Sequence, residues 1–296
     1  MKKIHMKRRD FLKSSAAAAL LLGAAGRGRA EETAFSTELK KALQYAMLPK
    51  ELSDADKFKL ALDCGFEGIE VDRIESVDEA KKLGELAREI GTPIHSLVFG
   101  GWDMPFSDPN PKVIQRALDA MSTQLRVANA LQADTILLVP VVVNKKATTE
   151  QAWERSRKHI PELIPLAEEM NIVIALEEVW NGFLLDSASE FARYVDEFNS
   201  PWIQAYFDVG NVLKYGDPVE WIRTLGKRIR KIHLKDFRKA GEKWTNLRDG
   251  DVGWPAVRKA IDEVGYNGYL TTELGGGDAA YLKDLGERCD LIIAGK

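Results

Sequence analysis

The chain has 296 residues, 45% of them hydrophobic and 29% charged, and 42 Lys/Arg against 45 Asp/Glu give it a net charge of −3. That length suits one large α/β domain. Past residue 30 the balance is 34 basic to 44 acidic side chains, a net of −10 with no basic stripe, which argues against a nucleic-acid partner.

The N-terminus reads as a targeting segment. Lys7-Arg8-Arg9-Asp10-Phe11-Leu12-Lys13 has the form of a twin-arginine signal, and an apolar stretch runs from Ser14 to Ala25. Gly28-Arg29-Ala30 then offers small residues at the −3 and −1 cleavage positions. Residues 1–30 are therefore expected to be a signal peptide that sends the folded chain, with its cofactor, to the periplasm. The apolar stretch is too short to span a bilayer. No later run of 18 apolar residues follows, so no membrane span is expected after cleavage. Residues 31–40 read as a polar linker and 41–296 as the domain.

In the domain, strand and helix signals alternate without a break. Near-continuous apolar runs predict strands at 42–48, 68–71, 93–98, 135–143, 172–176, 203–207, 229–234 and 269–272. Predicted helices follow them at 53–64, 77–90, 112–131, 148–170, 187–198, 218–225, 255–264 and 279–293. Ser53 is a good N-cap, and Gly65 and Gly91 sit where helix ends need glycine. Eight such units are the rhythm of a single (β/α)₈ barrel, whereas doubly wound sheets usually have fewer. No glycine-rich phosphate fingerprint follows the first strand. Cys64 and Cys289 fall in the first and last predicted helices, neighbours in a closed barrel; two free thiols are expected rather than a disulfide.

Four residues share one register. Glu177 in IVIALEE, Asp208 in IQAYFD, His233 in IRKIHLKD and Glu273 in YLTTEL each stand at the C-terminal end of a strand, on strands five to eight. In a parallel barrel those ends converge on the rim that holds the active site. Each has a duller reading by itself, as a helix N-cap, a loop charge or a structural histidine. Together, three carboxylates and one imidazole form a hard, mostly oxygen ligand set. It suits Mn²⁺ first, with Mg²⁺ or Co²⁺ as alternatives; a structural zinc would bring cysteine. A divalent metal of this kind stabilises the charge that develops when a proton beside a sugar carbonyl is removed, and a carboxylate must then reach the C–H bond. Strand alternation lets only one of Glu177 and Glu178 enter the barrel.

The segments ALEEVWN, FDVGN, HLKD and TTEL resemble the metal-binding strand ends of the xylose isomerase-like TIM barrel superfamily, and are most similar to its sugar phosphate isomerase/epimerase branch with the ketose 3-epimerases. The resemblance covers most of the domain and selects Glu177 over Glu178. It implies one metal held by Glu177, Asp208, His233 and Glu273, with Glu177 and Glu273 as acid and base on opposite faces of a carbohydrate. It also implies a homo-oligomer, since members form dimers or tetramers. Two positions depart from the epimerase pattern: Asn211 stands for a substrate-contacting histidine and Lys239 for an arginine. Further substrate-binding candidates are Asp236 and Lys235 after His233, His95 and Glu70 near two strand ends, and Trp102, Phe106 and Trp180 in rim loops. Trp254, in the glycine-rich run 248–254, is expected to be structural, and His159 to lie on the surface. The expected activity is that of an isomerase or epimerase acting on a free carbohydrate through an enediolate. The alternatives are a 3-keto-glycoside lyase with the same metal site, or a sugar-binding barrel without catalysis. An endonuclease IV-type phosphodiesterase would need more histidines than His95, His159 and His233.

Overall fold

Eight parallel strands close on themselves, each buried on the side facing the surrounding helices. They are β1 (Leu39–Gln44), β2 (Gly68–Asp72), β3 (Ile94–Gly100), β4 (Thr135–Leu138), β5 (Val173–Glu177), β6 (Ile203–Asp208), β7 (Ile229–Leu234) and β10 (Gly268–Thr272). The structure, a computed structural model, describes residues 35–142, 147–180 and 187–296. The expected signal peptide and the stretches 143–146 and 181–186 lie outside the described residues. The barrel closes where Ala42 of β1 stands opposite Gly68 of β2 on one side and Thr271 of β10 on the other.

Helices link the strands: α1 (Asp54–Asp63), α2 (Val77–Ile90), α3 (Pro111–Leu131), α4 (Thr149–His159), α5 (Ile164–Met170), α6 (Ala188–Asp196), α7 (Val209–Leu213), α8 (Pro218–Leu225), α9 (Trp254–Glu263) and α10 (Ala279–Ile293). Their starts are chemically marked. Ser53, Ser76, Ser187 and Asp278 each accept a backbone N–H of the first turn, and Thr148 with Gln151 closes a capping box. Among the described residues, no helix is long and apolar enough to cross a membrane.

The (β/α)₈ architecture is as the sequence predicts, with local differences. β1 begins at Leu39, inside the stretch read as linker, because Leu39 pairs with Gly268 of the closing strand, a partner no local pattern reveals. β4 stops at Leu138 rather than 143; Pro140, just beyond, has no N–H to give a ladder. The helix expected over 148–170 is interrupted at Ile160–Leu163, where Pro161, and Pro165 in the first turn of α5 just beyond, each remove a helical hydrogen bond. The region after β7, read as loop, contains a hairpin of β8 (Asp236–Arg238) and β9 (Lys243–Thr245). Cys64 and Cys289 are both free thiols, and burial pushes the Cys289 thiol up to about 12.

The apolar core lies mostly between barrel and helices. The barrel's interior is divided. Val98, Leu137, Val139, Ala175 and Tyr206 fill one side. Glu70, His95, Ser96, Lys231, His233 and Thr271 are buried too, so the other side is polar. Buried polar groups on this scale require partners. Those partners are what position the site.

Candidate metal centre

Glu177 ends β5, Asp208 ends β6, His233 is one residue short of the end of β7, and Glu273 directly follows β10. Register puts them at one level: His233 stands opposite Asp208 on one neighbouring strand and opposite Thr271, two residues before Glu273, on the other. One ligand atom from each lies within 4.8 Å of all the others. His233 Nδ1 is 2.7 Å from Glu273 Oε2, 3.2 Å from Glu177 Oε1 and 4.0 Å from Asp208 Oδ2. The set is buried except for Glu273, which is partly open to the rim.

Local chemistry fixes each of these groups. Asp208 uses Oδ1 to cap α7, accepting from the Gly210 and Asn211 N–H groups at 2.8 and 2.9 Å. Its Oδ2 is buried and accepts no hydrogen bond; the Lys235 ammonium, 3.0 Å away, supplies charge. Lys235 also lies 2.8 Å from Glu273 Oε2. Gly210 makes this possible, since a Cβ there would come within 2.5 Å of Lys235 Cβ. Glu178 points away from the cluster, as alternation requires. Its Oε1 accepts the Asp208 N–H at 2.6 Å, clamping β5 to β6 at the level of the ligands.

Behind His233 stands Glu70. Its Oε2 is 2.7 Å from His233 Nε2 and accepts from Gln44 Nε2 at 3.1 Å. Its Oε1 accepts from Ser96 Oγ and Tyr206 OH, each at 2.6 Å. Burial opposes a charge on His233, but the Glu70 and Glu273 carboxylates outweigh it and hold its pKa well above the ordinary value, so the imidazolium donates to Glu70 from Nε2 and to Glu273 from Nδ1. An ion held by the cluster would take the place of the Nδ1 proton, while the Glu70 carboxylate would keep the proton on Nε2, the arrangement common to metal-ligating histidines. Burial opposes ionisation of Glu70, yet the His233 charge and three hydrogen-bond donors hold its carboxyl below the usual range. The two glutamates of the cluster differ. Burial pushes Glu177 up to about 7, with the Glu273 charge adding to it and the His233 bond opposing. Burial acts the same way on Glu273, but His233 and Lys235 outweigh it and hold that carboxyl well below its ordinary value.

The remaining sequence candidates separate into those near the mouth and those turned elsewhere. Glu70, expected to line the pocket, is 1% exposed and faces His233. Asp236, expected to touch substrate, is fully buried. It gathers the Phe237, Arg248 and Val252 N–H groups and Trp254 Nε1 at 2.8–3.2 Å, which fixes the loop 248–253 and confirms Trp254 as structural. Asn211 spends its side-chain amide on the Glu178 carbonyl at 3.0 Å. His95 is not at a C-terminal strand end but second in β3, at the opposite end of the barrel, where its ring stacks 4.1 Å from Tyr269. Lys239 is exposed beyond β8, at the turn of the hairpin. Phe106 is buried, whereas Trp102 is 54% exposed in the loop after β3. Trp180 is half-buried, and His159 pairs with Glu162 away from the site. Trp244, which stacks on Trp180, had no signal in the sequence because it sits in a hairpin read as loop.

The donor set fits a hard divalent ion: three carboxylates and one imidazole nitrogen converge, a buried carboxylate oxygen lacks a hydrogen bond, and the histidine is oriented from behind. Residues 58–287 match the model of the xylose isomerase-like TIM barrel family. The chain belongs to that family. A protein of Escherichia coli (strain K12) named "Putative L-ribulose-5-phosphate 3-epimerase SgbU" is 26% identical over 245 residues, 77% of this chain and 85% of its own length. In fold the chain is similar to a solved L-ribulose 3-epimerase, with a TM-score of 0.75 at 16% identity over 86% of this chain and 94% of that one. It is also similar to the 3-keto-D-glucoside 4-epimerase YcjR of E. coli, with a TM-score of 0.73 at 15% identity over 86% and 98%.

Proposed function

We propose that this chain is a divalent-metal-dependent sugar isomerase or epimerase that removes a proton next to a carbonyl and passes through an enediolate. The observation that carries this reading is the convergence of Glu177, Asp208, His233 and Glu273 at one barrel rim, with two glutamates in the set. The epimerase names of its relatives support it.

Glu177, Asp208, His233 and Glu273 would hold the ion, Mn²⁺ in the first instance. Bound there, it would polarise the carbonyl and stabilise the charge of the enediolate. The protein's own groups do the rest. Glu177 and Glu273 come from β5 and from the end of β10, which are three strands apart around the barrel. They therefore reach a sugar from different sides, so one takes the proton and the other returns one, inverting the carbon. Lys235 keeps Glu273 ionised and in place. Glu70 keeps His233 in a single tautomer. An unphosphorylated sugar suits the site, because Lys235 is already neutralised by Asp208 and Glu273 and a phosphate would add charge beside three carboxylates.

Incubation with a panel of ketoses, aldoses and keto-glycosides in D₂O tests the reading. Deuterium should enter beside a carbonyl, and Glu177→Gln and Glu273→Gln should each abolish this while leaving the circular-dichroism spectrum unchanged. Full activity in either variant would refute the acid/base roles.

A further inference from the structure

Six large hydrophobic side chains are exposed among the described residues, and their distribution is not random. The three aliphatic ones, Leu62, Val77 and Leu291, lie on the outer helices α1, α2 and α10. The three aromatic ones, Trp102, Tyr215 and Trp244, all lie in segments that follow the C-terminal ends of β3, β6 and β7, on the rim that carries the cluster. β3 and β7 stand four strands apart in either direction around the ring, so Trp102 and Trp244 rise from opposite sides of the mouth.

Trp244 is the more firmly built of the two. It is 40% exposed, yet its indole stacks on Trp180 with ring centres 4.6 Å apart and planes within 27°. Trp180 is in turn fixed by its Nε1–H, which donates to the Asn211 carbonyl at 2.9 Å, and by an edge contact with Phe237. Phe237 also meets Trp244 directly, as its partner across the hairpin. The Lys235 ammonium, 2.8 Å from Glu273, lies 5.7 Å from the centre of the Trp244 ring. The indole wall thus begins one ammonium group beyond the metal-binding carboxylates. An exposed indole held rigid by three neighbours costs hydrophobic free energy unless something covers it, and flat apolar faces of sugar or aromatic rings do so well.

We propose that Trp244, stacked on Trp180, is a second binding subsite that receives a ring attached to the reacting sugar, so that the substrate is a glycoside rather than a single sugar. This rests on the proton-abstraction reading for the substrate's orientation. With the carbonyl side against the carboxylates, the indole meets what is attached beyond. A glycosidic bond uses up the anomeric carbonyl, so the carbonyl beside the abstracted proton is then a ring ketone. The reaction that supplies such a substrate is the oxidation of a ring hydroxyl.

Calorimetric titration of the metal-loaded protein with phenyl β-D-glucoside, phenyl β-D-galactoside and phenyl β-D-xyloside, each beside its free sugar, provides the test. These probes carry no ketone and cannot react, so the result is independent of turnover. At least one phenyl glycoside should bind about tenfold more tightly than its free sugar. Trp244→Ala should remove most of that preference and Trp244→Phe should retain it, with melting temperatures unchanged. The inference is overturned if no phenyl glycoside binds better than its sugar, or if the preference survives Trp244→Ala. A preference lost with Trp244 but no deuterium exchange on any keto sugar would leave the subsite standing and remove the catalytic reading. Exchange on a free ketose without any glycoside preference would do the reverse.

Discussion

Glu70→Gln isolates the support behind His233, the histidine proposed to bind the metal. The wild-type carboxylate is fully buried and receives four hydrogen bonds at 2.6–3.1 Å, two on each oxygen. Glutamine keeps the shape but has one accepting oxygen. If that oxygen stays on His233 Nε2, the amide nitrogen is presented to Ser96 and Tyr206, whose hydroxyls must turn round to accept. The bond to His233 changes from one to a charged acceptor, worth about 1.5–3 kcal/mol, to a neutral one worth about 0.5–1.5 kcal/mol. Imidazole orientation and basicity weaken by the difference, about 1–2 kcal/mol, or about 5–30-fold in metal affinity. Mn²⁺ titration calorimetry on chelator-treated protein measures this directly, with circular dichroism to show that the fold is kept. A folded Glu70→Gln variant with an unchanged Kd for Mn²⁺ would refute the claim that Glu70 sets the state of His233.

Asp236→Ala should lower stability by about 3–5 kcal/mol, since four N–H donors lose one buried acceptor; denaturant melts and limited proteolysis of the loop 248–253 would show it. Gly210→Ala places a methyl 2.5 Å from Lys235 Cβ and 3.0 Å from that residue's carbonyl. The overpacking should cost about 1–3 kcal/mol and weaken metal binding by displacing Lys235 and Asp208, which melting and Mn²⁺ titration together would detect. Burial, with the nearby Lys231 charge, holds His95 well below its ordinary 6.5. The unfolded chain therefore binds a proton there that the folded one refuses. The stability this provides is complete above pH 6.5 and is lost as the pH falls, at about 1.4 kcal/mol per pH unit. Urea unfolding across that range should be less pH-dependent in His95→Gln, and an equal dependence would contradict the assignment.

The barrel and the four residues at its rim were legible because both depend on short-range pattern. A buried parallel strand reads as an apolar run, and its last residue is a point on the rim whatever the loops do. The direction of each supporting side chain was not legible. Glu70 and His95 both lie on strands and both point inward, but one reaches His233 and the other packs against Tyr269 at the far end; only the stagger between strands decides which. The β2–β3 register shifts between Ile69 and Glu70, and no sequence period reveals that. Asp236, three residues after His233, reads as a substrate contact, whereas three of its four hydrogen-bond partners sit 12 to 18 residues later. Gly250 was the signal that could have shown it: a Cβ there would fall 2.0 Å from Asp236 Oδ1, so the loop is built around that carboxylate. Trp244 carries no sequence signal because a strand of three residues has too little length for a pattern.

The most direct measurement is deuterium exchange in D₂O on protein of residues 31–296, stripped with chelator and then titrated with Mn²⁺, using a sugar from the panel on which the untreated protein is active. The account predicts no exchange in the stripped protein, full recovery at one ion per chain, and no recovery in Glu177→Gln at any metal concentration. Exchange that persists at full rate in stripped protein, or that a loaded Glu177→Gln variant still catalyses, would contradict it.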